Sequence, residues 1–511
     1  MILTSFSNTS VSVANSLVAV GDGSGCLRLV ESASGSDPGF SKAIVTFRPH
    51  KNAILDTTFS CDDTLLATAA GDACAGVMDM EKQRTIYTLI EHHSTIKQIR
   101  FQPGSNNVIG TSSRDGMVNI YDLRCKSSVL PVHDMKAILE DPKMKAAERW
   151  NTDPNEKWLH AINRIYPVQP AWADSEWTKS KLQPKASTTH GETSSGMIAS
   201  SKPKPAPRQA HISVTSLSFL PQGREHLLLT GSDNDATVKL WDLRMTYSNR
   251  WGYATPTSTT QPPDSHNKHR HFGLTSIGLS GDGGRLYTLC RDSTIYVYST
   301  SHLILGHAPE LSSGPHPANI LRSPEKDGLG PLYGFRHPKL HCSTFYVKLA
   351  VRPAKNDKTE LVAAGSSDSC AVVFPTDERY MKHHVSTSVE DFITNRRIFS
   401  NTVRPFCSRR RRVTGVSRLN RPEDTIPIYL HGSALVEGHT KEVTGPTWTA
   451  DGDLVTVSDD MWVRCWRDGD GTDARDLRTG GEGEGRRWAC GWAEVEDGDG
   501  DKWQDKWDED D

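Results

Sequence analysis

Residues 438–466 read GHTKEVTGPTWTADGDLVTVSDDMWVRCW. Gly438-His439 precedes a short apolar segment from Val443 to Trp448. The turn Ala450-Asp451-Gly452 then leads into Leu454 to Ser458, and Asp460 precedes Val463-Arg464-Cys465-Trp466. Alternating apolar residues bounded by Gly and Asp turns predict three short antiparallel strands rather than helices. Working outward from this stretch, the turn Asp followed six positions later by a strand-end residue recurs as Asp72 and Met78, Asp115 and Tyr121, and Asp235 and Trp241. It recurs again as Asp292 and Tyr298 and as Asp368 and Phe374; a weaker first copy, one residue longer, runs from Asp22 to Leu29.

This is the pattern of a WD repeat, and seven copies predict an all-β, seven-bladed WD-repeat β-propeller. Each unit is a small sheet that cannot bury its two faces alone, so successive sheets must pack against one another. The turn Asp, a strand Ser or Thr such as Ser458, a His such as His439 and an aromatic such as Trp466 can form a hydrogen-bonded chain within a blade. That reading is preferred over a hydrolase triad. Asp22-Gly23-Ser24-Gly25 is read as a hairpin turn, because no Lys-Ser/Thr follows it as a phosphate loop requires. The alternation around Val11, Val13, Leu17 and Val18 predicts that residues 1–20 close the ring by sharing strands between the chain ends.

The spacing of the markers places insertions at about 126–210, 246–270, 302–340 and 376–432 of a propeller spanning 1–467. The first holds Met135 to Trp150, a short helix by pattern, and the Ser/Thr/Lys/Pro-rich Ser187 to Arg208, too polar to order itself. The last holds Arg396-Arg397, Arg409-Arg410-Arg411-Arg412, Arg418 and Arg421: a solvated loop, a nuclear-import signal or a patch for an acidic partner. Residues 468–511 form an acidic tail rich in Gly and Asp, with Trp488, Trp492, Trp503 and Trp507, expected to be disordered.

Over 511 residues the net charge is -3, so no global field favours nucleic acid. The ten cysteines include no CxxC pair and are read as reduced structural thiols. Asp497, Asp499 and Asp501 mimic the start of a calcium loop, but Lys502 stands where Gly is required. No metal, cofactor or small-molecule ligand is expected, no catalytic constellation is found, and neither a signal peptide nor a membrane span is indicated.

Two strand ends stand apart: Tyr121-Asp122-Leu123-Arg124 and Trp241-Asp242-Leu243-Arg244, on consecutive blades by the repeat count. An Arg two residues past the Asp leaves the strand at a blade rim. There its planar fork can pair with a partner's acceptors or with an Asp of its own blade. With these boxes the chain resembles the denticleless-type WD-repeat substrate receptors of cullin-4 RING ubiquitin ligases. His50-Lys51-Asn52-Ala53-Ile54-Leu55-Asp56 followed by Ala67-Thr68-Ala69-Ala70-Gly71-Asp72 is similar to that family's second blade. Ser113-Arg114-Asp115-Gly116 with the first box is similar to the third, and Ser343-Thr344-Phe345-Tyr346-Val347-Lys348 to a stretch of the sixth. Ser201-Lys202-Pro203-Lys204 resembles a basic segment ahead of the fourth, and the resemblance runs from about residue 45 to 467 outside the insertions.

The resemblance implies a nuclear, non-catalytic subunit that docks on the ligase's damaged-DNA-binding adaptor through Asp122, Arg124, Asp242 and Arg244. It implies protein substrates, among them replication-licensing or cell-cycle factors displayed on the DNA sliding clamp, brought close to a ubiquitin-charged enzyme that the RING partner supplies. A basic propeller surface would read the degron, with Arg336, Lys348 and Arg352 as candidates, and Arg409, Arg410, Arg411 and Arg412 would serve nuclear localisation. The competing reading is a chromatin or signalling scaffold that binds histone or phosphopeptide ligands without any ligase.

Overall fold

The computed structural model describes residues 6–11, 17–31, 43–125, 152–165, 212–221, 223–244, 256–268, 271–305, 326–327, 330–355, 358–377, 381, 426–436, 438–467, 490–491 and 494–495. They form seven sheets. Blade 1 comprises β1 (Phe6–Val11), β2 (Leu17–Asp22), β3 (Leu27–Glu31) and β4 (Ala43–Phe47), hydrogen-bonded in that order. Blade 2 follows with β5 (Ile54–Phe59), β6 (Leu65–Ala70), β7 (Ala75–Asp79) and β8 (Arg84–Leu89). Blade 3 opens with β9 (Ile96–Phe101), β10 (Val108–Ser113) and β11 (Val118–Asp122). The chain then lays β12 (Thr152–Leu159) parallel to β8 of blade 2 before β13 (Asn163–Ile165) completes blade 3.

The same excursion recurs. Blade 4 has β14 (Val214–Phe219), β15 (Leu227–Ser232), β16 (Val238–Asp242) and β17 (Ser258–Thr259), followed by a one-turn helix α1 (Asp264–Lys268). Blade 5 has β18 (Leu274–Leu279), β19 (Arg285–Cys290) and β20 (Thr294–Ser299), which runs into α2 (Thr300–Leu305). Next β21 (Lys326–Asp327) pairs in parallel with β17 of the preceding blade, and β22 (Tyr333–Phe335) completes blade 5. In blade 6, β23 (Leu349–Arg352), β24 (Leu361–Gly365) and β25 (Ala371–Pro375) precede β26 (Ile428–Tyr429), parallel to β22, and β27 (Ser433–Leu435). Blade 7 has β28 (Val443–Trp448), β29 (Leu454–Ser458) and β30 (Val463–Arg467). Beyond it β31 (Cys490–Gly491) pairs with β27 of blade 6 and β32 (Glu494–Val495) with β30. In blades 3, 5, 6 and 7, therefore, the connection to the outer strand first adds a fifth, parallel strand to the blade before.

The segments read from the sequence as insertions are the connections to the outer strands of blades 3, 4, 5 and 6, and they carry β13, β17 and β22 themselves; β32 of blade 7 lies inside the stretch assigned to the tail. Two- and three-residue strands are too short to show a period of two. The helix expected at 135–150 and Ser187 to Arg208 lie outside the described residues.

The innermost strands β1, β5, β9, β14, β18, β23 and β28 pack each against the next, and β28 against β1. Seven apolar clusters fill the seven gaps between blades. The one between blades 7 and 1 joins Val455, Val457 and Cys465 to Val18, Val20 and Val30. Closure is thus by packing: the first sheet takes all four strands from residues 6–47 and the last takes all of its strands from 443–495. The expected sharing of strands between the chain ends does not occur, because each end supplies a whole sheet. Polar side chains tie neighbouring inner strands together. Asp56 accepts the Ile99 backbone N–H at 2.8 Å, Gln98 that of Leu217 at 2.6 Å, and Ser216 that of Ile277 at 3.0 Å.

Within blade 7, Trp466 Nε1 donates to Thr456 Oγ1 at 2.8 Å, which meets His439 Nε2 at 2.8 Å, while His439 Nδ1 lies 3.1 Å from Asp460. The strand member of this chain is Thr456, not Ser458, whose hydroxyl donates instead to the Lys441 carbonyl. Blades 2 and 3 repeat it with His50, Thr68 and Asp72 and with His92, Thr111 and Asp115. A Cβ on Gly438 would lie 2.1 Å from the Trp466 ring, so only glycine lets the chain cross that indole. In blade 1 register places Val30 opposite Val18, where blades 3 and 7 place Tyr121 opposite Ile109 and Trp466 opposite Leu454; the strand-end residue is Val30 rather than Leu29. Asp22 pairs with Arg28 at 2.6 Å, and residues 22–25 form the hairpin turn.

Candidate functional site

Register assigns the two boxes to one face of the ring. Asp122 lies opposite Val108, and Asp242 opposite Leu227, at the ends of β11 and β16 remote from the turns that hold Asp115 and Asp235. The residues of each box divide their tasks. Tyr121 and Trp241 are buried between blades, and the backbone N–H groups of Leu123 and Leu243 are held by the Asn107 and His226 carbonyls at 2.8 and 2.9 Å. The arginine is left outside, 67% exposed at Arg124 and 66% at Arg244.

Each arginine is gripped by its own aspartate. Asp122 accepts the Arg124 backbone N–H and Nε at 2.9 Å each and Nη2 at 2.6 Å; Asp242 holds Arg244 at 3.0, 3.0 and 2.8 Å. The arginine hydrogen bonds hold both carboxyls below their ordinary range, and the aspartates raise both guanidinium values. Nε and Nη2 face the aspartate, so only two of the five N–H donors are used within each box. The salt bridge within the blade and the outward fork, alternatives in the sequence, are both present. At this exposure the pair adds little stability; what it does is fix the direction of the fork.

The candidates for a substrate surface are placed differently. Arg336 is 2% exposed, its Nε donating to Thr294 at 2.7 Å, and Arg352 is 5% exposed, bonded to the Thr359 and Gly452 carbonyls and 5.1 Å from the Trp448 ring. Both are buried struts inside the propeller, which corrects their reading as surface charges: Arg336 is tied to the Thr294 hydroxyl and Arg352 to the Thr359 and Gly452 carbonyls. Lys348 reaches across the centre of the ring to the Thr215 and Thr275 carbonyls of blades 4 and 5, at 3.4 and 3.1 Å. Burial lowers its ammonium to about 8 against the opposing attraction of Asp56. Arg409 to Arg412 lie outside the described residues.

On the face that carries the turn aspartates, a cluster gathers that no local motif announces. Lys97, at the start of β9, sets its ammonium 3.4 Å from the Phe345 ring centroid and 5.4 Å from that of Tyr346. The segment bearing these rings is pinned from three blades. Arg291 donates to the Ser343 carbonyl at 3.0 Å, Ser343 meets Ser367 at 2.6 Å, and Thr344 donates to Glu442 at 2.7 Å. Lys97 is 6% exposed; burial first, then repulsion from Lys348 and Arg114, lowers its ammonium to about 7, with Asp233 opposing. A lysine in a β-strand gives no sign in sequence of what lies across the ring. No group of three or more His, Cys, Asp or Glu able to hold a metal occurs among the described residues, and none of their helices is long and apolar enough to cross a membrane.

The family profile "WD domain, G-beta repeat" matches residues 83–122, 206–242 and 432–467. The chain is similar to the Cell division cycle protein cdt2 of Schizosaccharomyces pombe, 26% identical over 468 residues, or 88% of this chain and 66% of that protein. It is 23% identical to Denticleless protein homolog B of Xenopus laevis, over 71% of this chain and 40% of that one. To the Denticleless protein homolog of Homo sapiens it is 23% identical, over 70% of this chain and 38% of the relative. The chain thus spans less than two thirds of the length of each of these relatives. The matched repeats and the seven-sheet ring together make the chain a WD-repeat β-propeller protein, similar in sequence to these denticleless-type relatives.

Proposed function

We propose that this protein is the substrate-recognition subunit of a cullin-4 ubiquitin ligase, itself non-catalytic, docking on the damaged-DNA-binding adaptor through Asp122, Arg124, Asp242 and Arg244. The observation that carries this reading is the pair of equivalent aspartate–arginine forks on one face of consecutive blades. Two rigid guanidinium groups at a fixed blade spacing suit a partner with two sets of acceptors, and pre-orientation reduces the entropy lost on docking. The opposite face remains for substrates, which the family resemblance makes replication-licensing or cell-cycle factors displayed on the sliding clamp, in the nucleus. Proximity to the charged enzyme is all that such a subunit contributes.

The test is to replace Arg124 and Arg244 by Ala singly and together, and to follow the melting midpoint beside co-precipitation of the adaptor. The expected result is an unchanged midpoint with adaptor binding weakened by at least roughly tenfold per arginine. Folded variants that keep the adaptor would refute the ligase assignment and leave the scaffold reading standing.

A further inference from the structure

Taken as a recognition surface, the centre of the turn-aspartate face is unusual in its charge. Lys97 is almost wholly buried, yet among the described residues no oxygen accepts a hydrogen bond from its ammonium; its near neighbours are the rings of Phe345 and Tyr346. Two further cations act on it, Lys348 from within the ring and Arg114 from the β10–β11 turn, against the carboxylate of Asp233. Asp459 and Glu442 lie on the Tyr346 side, where Glu442 is taken up by the Thr344 and Ser367 hydroxyls. Lys348 is occupied by the Thr215 and Thr275 carbonyls, and Arg291 by Ser343, whereas Arg114 is exposed. A buried ammonium repelled by like charges costs folding free energy that a methionine of similar shape would not. The ring contacts offset part of that cost, and an anionic ligand would offset more.

We infer that the mouth of the central channel, formed by Lys97, Arg114, Phe345 and Tyr346, is a docking site for an anionic side chain, a carboxylate or a phosphoryl group, on a partner peptide. The anion takes the open side of the Lys97 ammonium and the Arg114 guanidinium in charge-assisted hydrogen bonds. Tyr346, 41% exposed, offers a ring to the neighbouring peptide residue, and its segment is held in place by blades 5, 6 and 7 before any ligand arrives. The inference rests on the receptor role proposed above, for which it supplies the class of ligand.

The experiment uses the full chain and immobilised short peptide pools, randomised except at a central Asp, phosphoserine, Asn or Lys. Retention by the Asp or phosphoserine pools, falling as salt is raised and at least tenfold weaker in both Lys97→Met and Arg114→Ala, is expected. Which of the two pools is retained separates the carboxylate from the phosphoryl source. Lys97→Met should melt at or above the parent temperature and still co-precipitate the adaptor. Equal retention of all four pools, no retention of any, or retention unchanged in the two variants would overturn the site, as would a Lys97→Met protein that melts early and binds normally. If anionic pools are retained but the adaptor is not bound, the site stands and the ligase reading falls; the converse result fells the site alone.

Discussion

Met461 sits at φ 70° in the turn between β29 and β30. The residue after the turn aspartate adopts the same conformation in other blades, where it is Ala73, Ser293, Ser369 or Gly116. A long side chain in the left-handed region costs about 1 to 2 kcal/mol relative to glycine, and at 40% exposure Met461 recovers little of that by burial. Met461→Gly is expected to raise stability by about 1 kcal/mol, the gain being reduced by the greater freedom of glycine in the unfolded chain. Urea denaturation at constant m-value reads it, and no rise would mean that the side chain packs to advantage. At this scale the sequence discriminates poorly among arginines. Arg124, Arg244, Arg336 and Arg352 all read as surface charges, and two of the four are interior struts because oxygens distant in sequence, the Thr294 hydroxyl for Arg336 and the Gly452 carbonyl for Arg352, are brought to them by the fold.

Between residue and blade stands the chain from Trp466 through Thr456 and His439 to Asp460. His439→Ala removes two buried hydrogen bonds and leaves Thr456 and Asp460 short of a partner, and is expected to cost roughly 1 to 3 kcal/mol. The acid limb of stability carries a second signature. Burial raises the Asp460 carboxyl, but hydrogen bonds from His439, the Thr440 backbone and the Trp462 backbone outweigh it and hold the group at about 2. Its folded value lies below its unfolded value of roughly 4, so this stabilisation is complete above about pH 4 and is lost as the pH falls towards 2. Asp460→Asn should therefore flatten the acid limb across that window in a stability-against-pH titration, with the neutral-pH stability already lowered; an unaltered limb would show that Asp460 does not govern it. The tetrad was legible as a set of residue types at fixed spacing, and only its strand member was misplaced by one pleat. The parallel fifth strands were not legible, since pairing such as that of β26 with β22 is decided by which segment the ring brings alongside.

Across the whole molecule, the ring closes without a shared sheet, and β1 is the innermost strand of blade 1, packed against both β5 and β28. Deleting residues 1–11 removes that strand and opens the cluster of Val18, Val20, Val30, Val455, Val457 and Cys465 between the first and last blades. The melting midpoint should fall by several degrees or more, and an unchanged melting curve would show that closure does not depend on β1. The same ring separates two surfaces, aspartate–arginine forks on one face and the Lys97 mouth on the other. A partner on each can then be held at once without competing for contacts.

The amino-acid order by itself determined the all-β class, the seven-fold repeat, the turn aspartates and the two boxes, because each is a local pattern: alternation, a turn residue, a fixed interval along one strand. Tertiary structure alone decided how the ring shuts, which blade receives each parallel strand, which arginines face water, and that Lys97 meets Phe345 and Tyr346 from blades on opposite sides of the channel. Those outcomes depend on contacts between residues up to hundreds of positions apart. Their energies come from burial and charge proximity, and neither exists until the seven sheets have closed around a common axis.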